Sequence, residues 1–375
     1  MNTLINKSSN ASSLITIFIP SFRGGGAERA MILFANELLR RDYRVNILVL
    51  SAEGPLKQMV AKEIEIISLQ TKRAFKSLPK VIKYLNINKP TALYSTIIHI
   101  NLISVLAKFL SRSSTKVIIR ESNTPKSAFS HSRSGRISLR LLPYLYPLAH
   151  TVIAVSNGVK DALIEMSSKL DEKTKIVPTP VISDEIFQLA EAKLEPKSSI
   201  SNFDANKPYL LGAGRLHFQK DFQTLIEAFS IISKENNDLS LLILGEGEER
   251  KALEQLISDL NLSDRVHLPG FVENPFYYFA RASTFVLSSK FEGMPNVLIQ
   301  ALAFGTPSVA TNCKSGPIEI SEDGRYCKIV PVSDSKAMAD AIRESIKSEP
   351  NREAANAMIN RFGIKNAVDE YLAII

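Results

Sequence analysis

Residues 209–229, YLLGAGRLHFQKDFQTLIEAF, hold one complete structural step. YLLGAG reads as a buried strand, and DFQTLIEAFSIISKE (221–235) sets apolar residues at helical spacing, with Arg215 and Lys220 in the turn between them. The step then repeats. Strand SLLILGEG (240–247), helix ERKALEQLISDL (249–260), strand VHLPGF (266–271), helix PFYYFARA (275–282) and strand TFVLSS (284–289) follow. FEGMPNVLIQALAFGT (291–306) and a strand PSVAT (307–311) come after them. Apolar strands alternating with helices predict a parallel sheet covered on both faces.

The first half has the same rhythm. LITIFIP (14–20) is a strand run, SFRGGG (21–26) a glycine turn, AERAMILFANELLRR (27–41) a helix and RVNILVLS (44–51) the next strand. Further strands are predicted at ALYST (92–96), KVIIRE (116–121) and TVIAVS (151–156), separated by helical patterns such as LISVLAKFLSR (102–112) and NGVKDALIEMS (157–167). The expected fold class is α/β: two Rossmann-like, doubly wound parallel-sheet domains with an interdomain cleft, where such sheets bind ligands at the carboxyl ends of their strands. The expected domains are 1–183 and 208–357. The polar stretch 184–207 is read as a linker, and 358–375, which includes NAVDEYLAII, as a C-terminal helix crossing back to the first domain.

Composition narrows the classes. A 375-residue chain suits two cores better than one, and 45% hydrophobic with 22% charged residues fits a folded chain, neither disordered nor membrane-spanning. Cys313 and Cys327 are too few for a disulfide framework and are expected as buried thiols. The first 22 residues lack a charged start followed by an unbroken apolar run, so a cytoplasmic location is expected. The net charge of +8 is concentrated: between Gln70 and His150, 14 Lys or Arg face one acid, Glu121. HSRSGRISLRLLPYLYPLAH (131–150) sets Leu and Tyr beside Arg133, Arg136 and Arg140, a mixture suited to an anionic membrane surface more than to a nucleic acid duplex. IIHINLISVLAKFL (97–110) is interrupted by His99, Asn101 and Lys108 and is no spanning helix.

Several chemistries fail on spacing. The glycine pairs at 212/214 and 245/247 start like a dinucleotide fingerprint but lack its third glycine, and no P-loop occurs. No Asp-any-Asp pair is present, and His99, His131, His150, His217 and His267 show no metal spacing, so no metal and no cofactor are expected. What remains points to an anion. Gly24, Gly25 and Gly26 precede a helix, where backbone N–H groups and the helix dipole favour negative charge. Arg215 and Lys220 follow the strand 209–214 and suit a diphosphate. Glu292 follows TFVLSS, Gly293 allows close backbone approach, and Pro295 suits the first turn of a helix running to Gly305. Gln300 stands one turn beyond Asn296 on the same helix face. A diphosphate beside a hydroxyl-rich group is a nucleotide sugar.

These residues resemble a known family: the retaining glycosyltransferases of family 4, with the two-domain GT-B fold, of the bacterial surface-polysaccharide type. The resemblance rests on GGGAE (24–28), GRLHFQKDFQTLIEAF (214–229), LLILGEGEER (241–250), LPGFVENP (268–275), FEGMPNVLIQALAFGTPSVAT (291–311) and SGPIEI (315–320). It implies that Arg215 and Lys220 hold the donor diphosphate and that Glu292 meets sugar hydroxyls. It further implies that Gly293, Met294, Pro295, Asn296 and Val297 offer backbone to phosphate and sugar, and that Val272 and Asn274 lie near the base. Gly25 and Gly26 fall on the donor side. Gly24, His99, Asn101 and Arg120 fall on the acceptor side, with His99 near the reacting carbon. Glu292, His99, Arg215 and Lys220 form the implied catalytic group. The first domain would then bind acceptor and the second the donor.

Gln300 departs from the pattern, which has a second Glu there on the ribose hydroxyls. Replacing a charge-assisted bond of about 1.5–3 kcal/mol by a neutral one of about 0.5–1.5 predicts up to roughly tenfold weaker donor binding. The expected reaction moves a hexose or N-acetylhexosamine from a UDP-sugar to a lipid diphosphate-linked saccharide, without metal, at the cytoplasmic face of the inner membrane. Three alternatives stay open: a catalytically impaired nucleotide-sugar binder, an NAD-type enzyme, and a basic adaptor that binds polyanions without turnover.

Overall fold

The computed structural model describes residues 13–23, 25–126, 133–192, 200 and 203–375. The chain forms two compact units, residues 1–181 with 364–375, and residues 182–363.

The first unit is built on seven parallel strands: β1 (Leu14–Ile19), β2 (Arg44–Val49), β3 (Glu65–Ser68), β4 (Ala92–Thr96), β5 (Lys116–Glu121), β6 (Thr151–Ala154) and β7 (Thr174–Ile176). Their spatial order is 3-2-1-4-5-6-7. Registers such as Ile17 beside Ile47 on one side and Tyr94 on the other keep apolar side chains aligned across the sheet. β1, β4 and β5 are buried almost throughout because helices cover both faces, which is why they read as continuous apolar runs. The short edge strands β3 and β7 escape the sequence pattern: they alternate weakly and stay partly exposed, so little apolar signal marks them.

The second unit repeats the scheme with six strands: β8 (Tyr209–Ala213), β9 (Ser240–Leu244), β10 (Val266–Gly270), β11 (Thr284–Leu287), β12 (Ser308–Thr311) and β13 (Lys328–Val330), in the order 10-9-8-11-12-13. The core sits between this sheet and the helices Phe222–Ile232 and Ser335–Ser345, where Leu225, Phe229, Met338 and Ile342 are fully buried or nearly so. The architecture is the expected one, two Rossmann-like parallel sheets. In each, strand order reverses beside the first strand, at β1/β4 and at β8/β11.

Two boundaries differ from expectation. The stretch read as a linker holds a helix, Asp184–Glu191, whose Phe187 packs edge-on to Phe304 at 5.3 Å, so the second unit starts at Ile182. The return crossing falls after Gly363: the helix Arg352–Phe362 belongs to the second unit and Ile364–Leu372 to the first. Tyr371 decides this. It lies in the first core, 4.8 Å from the ring of Phe34, and its carbonyl accepts a bond from the Tyr94 hydroxyl at 2.5 Å. A helix that supplies core volume folds with the sheet it fills.

Candidate functional site

The site of the second unit grows from the loops after β8 and β11, the two strands flanking its reversal point. The first loop carries Arg215, Gln219, Lys220 and Asp221. The second carries Ser288, Ser289, Lys290 and Glu292. They are bonded tightly to each other: Lys290 N donates to Gln219 O at 2.8 Å, Ser288 Oγ to Lys220 O at 2.7 Å, and Gln219 Nε2 to Phe291 O at 2.9 Å. On this frame Lys220 Nζ meets Glu292 Oε1 at 2.6 Å. Ser289 Oγ donates to the same oxygen at 2.7 Å, and Gln219 Nε2 reaches Oε2 at 3.3 Å. The Glu292 side chain is 7% exposed and that of Lys220 16%. One cation and two neutral donors thus serve a carboxylate that the fold has largely withdrawn from water, which offsets the cost of burying it.

Arg215 is exposed at the start of the same loop, whose backbone is anchored by Gly214 N to Leu244 O at 2.9 Å and Leu216 N to Glu246 O at 2.9 Å. The glycines that imitate a dinucleotide fingerprint find their reason here. Gly245 has φ +142, and a Cβ on it would lie 1.9 Å from the carbonyl of Gly214; one on Gly247 would lie 2.1 Å from the carbonyl of Leu216. They let two loop backbones pack against each other.

After Glu292 come Gly293, Met294 and Pro295, all buried, and Pro295 caps the helix Asn296–Ala303 with its carbonyl accepting from Leu298 N at 3.0 Å. Pro295 is thus the cap and not the first helical residue, and the helix ends at Ala303, two residues short of Gly305. Asn296 and Val297 are half-buried, and Gln300 is buried on the helix. Val272 is half-buried beside Phe271, which is 60% exposed. Asn274 donates its Nδ2 to Leu189 O at 2.7 Å, which ties down the helix Asp184–Glu191.

In the first unit the corresponding loops follow β1 and β4. Gly24 lies outside the described residues. Gly25 caps the helix Gly26–Arg40 in extended conformation, and Gly26 opens it. After β4, Ile97 adopts φ +74, a region that a β-branched residue enters only under strain, and the helix Ile98–Leu110 starts at once. His99 is half-buried on its first turn, and burial lowers its pKa below the ordinary value, so the imidazole is neutral at pH 7.

Asn101 and Arg120 correct the acceptor set. Asn101 is 0% exposed; it donates to Arg120 O at 3.0 Å and accepts from Ser95 Oγ at 2.8 Å. Arg120, 2% exposed, donates to the hydroxyls of Tyr371 at 2.9 Å, Ser122 at 2.9 Å and Thr179 at 2.8 Å. Both spend their polar atoms inside the domain, because a buried donor without a partner would cost more than it could return to a ligand. Glu121, which spacing did not single out, completes this network. It is 1% exposed, accepts from Tyr146 Oη at 2.7 Å, and burial raises its pKa to about 7. Its status as the lone acid among 14 cations was the available signal.

Cys313 and Cys327 are buried and unbonded to each other, and burial pushes both thiols up to about 12. Among the described residues no group of three or more His, Cys, Asp or Glu could hold a metal ion, and no helix is long and apolar enough to cross a membrane.

Residues 24–185 match the family model described as Glycosyltransferase Family 4, and residues 195–361 the one described as Glycosyl transferases group 1. The chain is a family 4-like glycosyltransferase of GT-B fold. This glycosyltransferase is 33% identical over 212 residues to an uncharacterized glycosyltransferase of Methanocaldococcus jannaschii, an alignment spanning 56% of the chain and 52% of that protein. It is 27% identical over 90% of its length to 91% of a Campylobacter jejuni enzyme. That enzyme is named N-acetylgalactosamine-N,N'-diacetylbacillosaminyl-diphospho-undecaprenol 4-alpha-N-acetylgalactosaminyltransferase. The crystal structure of HepE from Anabaena in complex with UDP and glucose superposes with a TM-score of 0.79 at 20% identity, covering 96% of the glycosyltransferase and 98% of HepE.

Proposed function

We propose that this glycosyltransferase moves a hexose or N-acetylhexosamine from a UDP-sugar to a lipid diphosphate-linked saccharide in the synthesis of a cell-surface polysaccharide, with retention of anomeric configuration and without a metal. The observation that carries the reading is the Lys220–Glu292 pair at 2.6 Å, built on two mutually bonded loops at the β8/β11 reversal point.

The chemistry follows from charge. Breaking the bond between the anomeric carbon and the nucleoside diphosphate leaves negative charge on the diphosphate and positive character on the sugar ring. In this reading Lys220 and Arg215, both on the loop after β8, take the diphosphate, and the N–H groups opening the helix Asn296–Ala303 add partial positive charge. Glu292 accepts from sugar hydroxyls and keeps Lys220 in place. The acceptor hydroxyl attacks from the leaving-group side, and no protein nucleophile takes part. His99, neutral at pH 7, can accept a hydrogen bond near the sugar. The exposed ring of Phe271 offers a stacking face for the base. UDP as the nucleotide is supported by the ligand of HepE, and a lipid-linked saccharide by the name of the Campylobacter relative.

The membrane enters through the first unit. Phe75, Phe109, Leu110, Ile137, Leu141, Tyr144 and Leu148 are each 44–76% exposed, on elements that also expose Lys72, Arg73, Lys76, Arg112, Arg136 and Arg140. On the helix Arg133–Leu145, Ile137, Leu141 and Tyr144 recur at spacings of four and three, an apolar stripe with Arg136 and Arg140 beside it. Such a surface supports binding to anionic lipid at the cytoplasmic face of the inner membrane. Vesicles containing anionic lipid should retain the protein at low salt and release it at high salt; indifference to them would end this part of the reading.

The test of the donor site is thermal stabilisation by UDP, GDP, ADP and NAD with a chelator present. UDP at a hundred times its dissociation constant should add about 2.7 kcal/mol and the others little. Gln300 favours a second reading, a nucleotide-sugar binder with impaired turnover. UDP binding without sugar transfer, restored by Gln300→Glu, would select it.

A further inference from the structure

Behind the Lys220–Glu292 pair stands a second ion pair. Asp221 Oδ1 meets Lys290 Nζ at 3.1 Å, joining the same two loops in the opposite sense: the cation of one pair and the acid of the other lie on each loop. Asp221 is 4% exposed, and its other oxygen accepts from Thr224 Oγ1 at 2.9 Å and from Ser333 Oγ at 2.8 Å. One carboxylate therefore fastens the β8 loop, the β11 loop and the segment ahead of the helix Ser335–Ser345. Its backbone sits at φ +48, a left-handed conformation that Asp and Asn tolerate better than most residues. Lys220 is the neighbour of Asp221, and Glu292 lies two residues beyond Lys290.

We infer that Asp221 and Lys290 are positioning residues that hold Lys220 and Glu292 at working distance while the donor diphosphate is bound. The inference rests on the donor-site reading above. Loops held together only by the pair that engages the ligand would loosen at the moment of binding, when the Lys220 ammonium turns part of its three donors from Glu292 to a new anion. The second pair is not among the groups assigned to the diphosphate, so it keeps the loop spacing through that exchange. Preorganisation of this kind lowers the cost of binding a charged group.

The experiment compares UDP with UMP, which lacks the second phosphate, by calorimetry on the full chain and on Asp221→Asn, Lys290→Gln, Lys290→Arg and the Asp221→Asn/Lys290→Gln double variant. Asn keeps the left-handed backbone and the bonds to Thr224 and Ser333. Lys290→Gln is on a side chain 42% exposed, so the fold tolerates it. Each neutral single variant should weaken UDP about three- to tenfold while UMP changes little, so the UDP-to-UMP affinity ratio falls. The double variant should be no worse than either single, and Lys290→Arg should restore the ratio. A merely structural pair would lower the melting temperature and leave the ratio unchanged, which would overturn the inference alone. A parent protein that binds no UDP would overturn the donor-site reading and this inference with it.

Discussion

The two sheets share one winding scheme but use their carboxyl edges for different purposes. After β8 and β11 the polar groups are charged, paired across two loops and carried on backbone held by neighbouring carbonyls. After β4 and β5 several polar groups turn inward: Asn101, Arg120, Glu121 and Tyr146 bond among themselves and to Tyr371, while His99, Ser122 and Asn123 stay partly accessible. A site meant for a fixed, highly charged group profits from preorganised charge. Under the proposed function the first unit meets a large saccharide, which asks for a firm edge and an available outer surface, and that surface is apolar and basic.

The contrast can be broken from either side. The largest effect is expected for Tyr371→Ala, which empties core volume beside Phe34 and leaves Arg120 short of a partner. Urea denaturation should show a loss of about 3–5 kcal/mol, while UDP affinity of the folded protein stays unchanged because the second unit is untouched. Loss of UDP affinity would mean that the two edges are not independent. Next comes Lys220→Ala, expected to cut sugar transfer by about a hundred- to a thousandfold, with the lost stabilisation of the leaving diphosphate read from kcat/KM.

Glu121 gives the third test. Its pKa is raised from 4.5 to about 7, so the folded chain holds this proton more firmly than the unfolded one. The resulting stabilisation is present below pH 4.5, erodes as pH rises from 4.5 to about 7, and stays lost above, by as much as about 3 kcal/mol. Stability curves of Glu121→Gln should lack this decline; an unchanged decline would place the titration elsewhere. The smallest effect is Gln300→Glu, which should tighten UDP by roughly tenfold or less, as a charge-assisted bond replaces a neutral one on a buried helix face. A weakened affinity would show that this buried position cannot carry a charge.

Much of the second site was legible because its residues fall in short loops after apolar strands, where glycines, Arg215, Lys220 and Glu292 stand out against their surroundings. Its supporting partners were written in the same motifs and went unread: Gln219, Asp221, Ser289 and Lys290 look like ordinary loop residues until the two loops come together. The first site was less legible. Asn101 and Arg120 entered the acceptor set through the family resemblance, which carries a residue's place in a motif but not its side chain's direction, and both point into the domain.

The sequence by itself determined the two α/β units, since apolar strand runs and 3.6-residue helical spacing are local signals that survive without contacts. It also determined the charged loops at the second reversal point and the concentration of cations in the first unit. Only the tertiary structure decided that the expected return crossing falls after Gly363, with Tyr371 in the first core, that Asp221 with Lys290 doubles the Lys220–Glu292 pair, and that Glu121 is buried. Each depends on groups far apart in the chain, from 25 residues between Glu121 and Tyr146 to 277 between Tyr94 and Tyr371 and more between Phe34 and Tyr371. Burial and pairing are properties of the folded neighbourhood, and no single stretch of chain contains its own neighbours.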